Sequence, residues 1–65
     1  MIVNGVSRPG RSTSLNVSAL LLELGIEPRG VAVAINGEIA RRSQWETTFI
    51  NDDDTVEIVT AVAGG

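Results

Sequence analysis

Apolar residues alternate in short runs, most clearly over Val31–Ile35 and Thr55–Thr60, and one stretch shifts to helical spacing. Val17, Leu20, Leu21 and Leu24 fall at i, i+3, i+4 and i+7 and make a single apolar stripe. Asn16 stands where an N-cap would accept an orphan backbone N–H, and Gly25 where the chain would leave through a left-handed residue. The spacing predicts a helix of about two turns, too short to persist in water without packing. Leu22 falls off the stripe, at the edge of the core or facing a partner.

Two Asn-Gly pairs punctuate the alternating segments. Asn4 and Gly5 divide Met1–Val3 from a return run over Val6–Arg8, and both residues suit the positive φ of a type I′ turn. Pro9, which lacks a backbone donor, opens an edge or loop that continues through Gly10, Arg11 and the hydroxyls of Ser12, Thr13 and Ser14. Asn36 and Gly37 divide Val31–Ile35 from Glu38–Ala40 in the stronger hairpin pattern. Val31, Val33 and Ile35 share one face there, and the opposite face at Ala32 and Ala34 is small and nearly flat. A two-residue loop pairs Ile35 with Glu38 and Ala34 with Ile39, so Ile39 either lies exposed beside the alanines or the register differs. From Arg41 to Ile50 the period is poor, and Trp45, Phe49 and Ile50 are expected to anchor an irregular crossing at the core rim. Asn51–Asp54 reads as a turn, and Thr55–Thr60 as a last strand with Val56 and Ile58 on one face.

Hairpin, helix, hairpin, irregular crossing and final strand describe an α+β mixed sheet packed on one helix, the ubiquitin-like β-grasp. Residues 1–60 are expected to form that domain, and residues 61–65 a flexible Gly-Gly tail. The stretches between the two Asn-Gly pairs do not match each other, so there is no repeat architecture.

Length and composition narrow the chemistry. Sixty-five residues support one small core and no deep catalytic cavity. The absence of Cys, His, Lys and Tyr removes the usual general bases, the thiolate, the Schiff-base amine and the main transition-metal ligands. A net charge of -3 argues against a nucleic-acid partner, which a basic surface would hold by its phosphates. Without Cys there is no disulfide framework, so the cytoplasm is the expected compartment. Neither a signal peptide nor an apolar run long enough to span a membrane is expected. The acidic run Asp52, Asp53 and Asp54 reads as a solvated turn and not as a metal site, Arg41 and Arg42 as solvated cations, and Trp45 as a core or rim anchor. Ala32, Ala34 and Val59 make the stronger docking candidate, an apolar outer face beside the tail.

The sequence stops at Gly64 and Gly65 directly after a strand. A glycine has no Cβ, so a tail of Ala63, Gly64 and Gly65 suits a narrow partner channel. Five extended residues from Ala61 would carry the last carboxylate roughly 17 Å from the domain. That carboxylate is an anion at neutral pH and a poor electrophile until activated. The chain has no phosphate-binding loop with Lys, so activation would fall to another enzyme.

Three stretches resemble the ThiS-type sulfur carrier proteins of thiamine biosynthesis: Ala34–Trp45, Asp52–Val59 and the ending Ala61, Val62, Ala63, Gly64, Gly65. The resemblance implies that Gly65 is adenylated with ATP by a ThiF-like adenylyltransferase and converted to a thiocarboxylate with the help of a sulfur-donor enzyme. A ThiG-like thiazole synthase would then take the sulfur. It also implies no bound cofactor and no catalysis by the chain itself. Two positions depart from the family pattern: Arg41 stands where Pro is usual, and Asp53 where Gly is usual, which points to a left-handed residue there. The lack of Cys and Lys fits a carrier better than a self-polymerising modifier. A molybdopterin-type sulfur carrier and a ubiquitin-like protein modifier remain the alternatives, with an inert adaptor domain behind them.

Overall fold

The computed structural model describes residues 1–9 and 14–60. Seven strands and one helix follow in order: β1 (Ile2–Val3), β2 (Val6–Ser7), β3 (Leu15–Asn16), α1 (Val17–Leu24), β4 (Val31–Ile35), β5 (Glu38–Ala40), β6 (Phe49–Ile50) and β7 (Thr55–Thr60). A single 3₁₀ turn, Arg42–Gln44, lies between β5 and β6. The main sheet runs β2-β1-β7-β4-β5, with β7 central, parallel to β1 and antiparallel to β4. This is the mixed sheet on one helix expected of a β-grasp.

Both Asn-Gly turns form as their chemistry dictates. Asn4 and Gly5 have φ of 51° and 82°, and Asn36 and Gly37 have 52° and 86°, the only positive-φ non-glycines being these two asparagines among the described residues. The first hairpin is extended past Ile2 and Ser7 by bonds from Arg8 N–H to the Met1 carbonyl, 2.8 Å, and from the Met1 ammonium to the Arg8 carbonyl, 3.1 Å. Gly10–Thr13, expected as an edge or loop, lie outside the described residues.

The helix has the anticipated bounds. Asn16 Oδ1 accepts the Ala19 N–H at 2.7 Å, and Gly25, at φ 70°, closes the C-terminus. Its N–H bonds the Leu22 carbonyl while the Ile26 N–H bonds that of Leu21, a Schellman arrangement. Val17, Leu20 and Leu21 from the helix meet Val3, Val33, Val56 and Ile58 from the sheet in one core.

The crossing after β5 is more ordered than its sequence implies. Phe49 and Ile50 pair with Asn16 and Leu15 in a second, two-stranded ladder. The Thr48 and Trp45 carbonyls accept the Val17 and Ser18 N–H groups, so this segment satisfies helix donors that have no partner within the helix. Trp45 and Ile50 are buried as anchors, and the Trp45 indole N–H donates to the Ala40 carbonyl at 2.8 Å. Phe49, expected as the third anchor, is instead 53% exposed. Alternation along β6 allows one of two adjacent side chains to face the core, and Ile50 takes that place.

Candidate functional site

Strand β7 delivers the chain to residues 61–65, so the site is built around it. Ala63, Gly64 and Gly65, expected as the reactive tail, lie outside the described residues. The structure does show how the root of that tail is held. On one flank β7 pairs with β4 from Val56, opposite Ile35, to Val59 opposite Ala32 and Thr60 opposite Val31. On the other flank β1 reaches only to Val3, opposite Val56, followed by a bond from Asn4 N–H to the Val56 carbonyl at 2.9 Å. There the chain turns back into β2, and the Asn4 side chain replaces the missing strand. Its Oδ1 accepts the Ile58 N–H at 2.7 Å, and its Nδ2 donates to the Ile58 carbonyl at 3.2 Å.

The start of β7 is held in a parallel way by the other hairpin. Asn36 Oδ1 accepts the Thr55 N–H, and Asn36 Nδ2 donates to Asp54 Oδ1, both at 2.9 Å. The second Asp54 oxygen accepts the Asn51 N–H at 2.7 Å. Asp54 is therefore a buried, hydrogen-bonded carboxylate, which corrects the expectation that all three aspartates form a solvated turn. Asp53 is exposed and has no positive φ, so the left-handed conformation expected there is absent. Spacing alone does not separate Asp54 from its neighbours; the signal is its place immediately before an alternating strand, beside a turn whose Asn can reach it.

The face of the sheet away from the helix carries the docking candidate. Val56 and Ile58 point into the core, so Thr55, Glu57 and Val59 point outward. Ala32 lies opposite Val59, Ala34 opposite Glu57, and Ile39 opposite Ala34. The anticipated register holds, and Ile39 is 69% and Val59 58% exposed. Ala32 and Ala34, each partly buried, form a low floor between them, and Ile2, also exposed, lies on the same face opposite Thr55. Among the described residues no element packs over this face.

Arg42 is exposed but not simply solvated. Its guanidinium lies 5.4 Å from the centroid of the Trp45 ring and donates to the Pro28 carbonyl. Arg41 is exposed with φ of -67°, the value a proline ring would impose. Among the described residues no group of three His, Cys, Asp or Glu is placed to hold a metal ion, and no helix is long and apolar enough to cross a membrane.

Comparison with known proteins bears on the whole chain. The profile of the ThiS family matches residues 1–65. A thiazole synthase of Paramagnetospirillum magneticum is 43% identical over 65 residues, which cover 100% of this chain but 20% of that protein, so the chain spans about a fifth of its length. The sulfur carrier protein ThiS of Escherichia coli is 37% identical over 49 residues, covering 75% of this chain and 74% of that one. The crystal structure of the thiamine biosynthesis protein ThiS from Geobacter metallireducens superimposes with a TM-score of 0.83 at 35% identity, covering 98% of this chain and 96% of that one. A family match over residues 1–65 and a shared fold at 35% identity lead to one conclusion: the chain belongs to the ThiS family.

Proposed function

We propose that this protein is a sulfur carrier in thiamine biosynthesis, with the Gly65 carboxylate as the group that carries the sulfur. The observation that supports it most is the central strand, held on both flanks as far as Ile58, which leads directly into the Gly-Gly ending of a ThiS-family chain. The Gly65 carboxylate attacks the α-phosphorus of ATP in a ThiF-like adenylyltransferase, and pyrophosphate leaves. Hydrosulfide supplied by a donor enzyme then displaces AMP from the acyl-adenylate, and the resulting thiocarboxylate supplies sulfur to a ThiG-like thiazole synthase. On this reading the chain is a co-substrate and not a catalyst, binds no cofactor of its own, and works in the cytoplasm.

The outer sheet face supplies the docking. Ala32, Ala34, Ile39 and Val59 offer an apolar surface bordered by Glu57, which fits a partner surface that is apolar and carries a cation opposite Glu57. Deleting Gly65 is expected to abolish pyrophosphate release by the adenylyltransferase while thermal unfolding stays unchanged. Normal adenylation of the shortened chain would overturn the reading.

A further inference from the structure

Resting on the reading above, we propose that Asn4 is a positioning residue for the tail: its side-chain amide holds the N–H and C=O of Ile58 and so sets the direction in which the chain leaves the sheet toward Gly65. The carboxamide has the donor and acceptor of a peptide group, and here it occupies the ladder position that a further residue of β1 would fill. Asn4 sits at φ 51° in the type I′ turn, and from there its side chain reaches the backbone of Ile58 in β7. Contact is made across 54 residues of sequence, so the first turn of the chain is tied to its last described strand. Among the described residues, the strand beyond Ile58 is paired only with β4, at Val59 and Thr60. Without the amide, single-flank pairing would begin two residues earlier, and the last described residues of β7, Val59 and Thr60, would be held less firmly.

Asn36 provides an internal control. Its Oδ1 likewise accepts a β7 N–H, but that of Thr55, the end remote from the tail, and its Nδ2 donates to the buried Asp54. Its loss therefore removes at least as much structure without touching the tail root.

The test is steady-state adenylation with ATP and the cognate adenylyltransferase, read as pyrophosphate release against carrier concentration, well below every melting temperature. Asn4→Gly keeps the positive φ and removes only the side chain. It is expected to lower kcat roughly tenfold with the KM for the carrier unchanged, because the docking face is intact and only the orientation of the reacting group is degraded. Asn4→Asp places a second acceptor against the Ile58 carbonyl and is expected to behave like Asn4→Gly. Asn36→Gly is expected to lower the melting temperature and leave kcat unchanged. Amide exchange at Ile58 is expected to accelerate in Asn4→Gly beyond the change at Val33. Equal kcat for Asn4→Gly and wild type, or an equal fall in Asn36→Gly, would overturn the positioning role. Absence of adenylation in the wild-type chain would instead overturn the sulfur-carrier reading on which it rests.

Discussion

The carboxylate of Asp54 and the side-chain amide of Asn36 meet at 2.9 Å, joining the turn before the central strand to the turn of the neighbouring hairpin. With the Asn51 N–H on its other oxygen, Asp54 has partners for both, which is what allows a carboxylate to be only 9% exposed in a domain this small.

Asp54→Ala is therefore expected to cost about 2 to 3 kcal/mol, because it removes bonds to a charged group and leaves the Asn51 N–H without its acceptor. Asp53→Ala, at an exposed neighbour, is expected to change stability by less than about 0.5 kcal/mol. Urea midpoints of the two variants check the contrast. Equal small effects would mean that the Asp54 bonds contribute nothing.

Arg41→Pro is expected to raise stability by about 0.4 to 1 kcal/mol. The native φ of -67° already matches the ring, and Ala40 before it is in a strand, the conformation that a following proline favours. Glu38 and Ala40 direct their backbone groups toward β4, so by alternation the Arg41 N–H points off the sheet edge and no ladder bond is lost. Thermal unfolding of the variant measures the change, and a fall in melting temperature would contradict the argument.

Along the helix, Leu21→Ala is expected to cost about 2 to 5 kcal/mol, since that side chain is 2% exposed at the centre of the core. Leu22→Gln, one residue on but 82% exposed, is expected to stay within about 0.5 kcal/mol of wild type. Chemical denaturation of the pair distinguishes the stripe from its neighbour.

For the docking face, Ile39→Thr combined with Val59→Thr keeps β-branched residues in both strands and removes exposed apolar surface. Stability is expected to change by less than about 1 kcal/mol. The KM for the carrier in adenylation is expected to rise about tenfold, the equivalent of roughly 1.4 kcal/mol of lost contact. An unchanged KM would remove this face from the interface.

How much of this was legible beforehand depended on whether a signal was local. The Asn-Gly turns, the helix with Asn16 and Gly25 at its ends, and the inward set Val33, Val56 and Ile58 follow from steric preference and periodicity within a few residues, and all are found where expected. Exposure of Ile39 followed from counting pairs across a two-residue loop. The β3–β6 ladder was not legible, because each strand is two residues long and its partner lies some 35 residues away, so no period can form. Asn4 was legible as a turn former only: its bonds to Ile58 depend on the tertiary placement of β1 beside β7.

The proposed sulfur loading of Gly65 is read from the intact mass of the untagged chain after incubation with ATP, a ThiF-like adenylyltransferase and a sulfur-donor enzyme. A carrier shows the mass change of one oxygen replaced by sulfur, localised by fragmentation to Gly65 and absent when ATP is omitted. An unchanged mass with a partner system that loads another ThiS-family carrier, or a sulfur localised elsewhere in the chain, would contradict it.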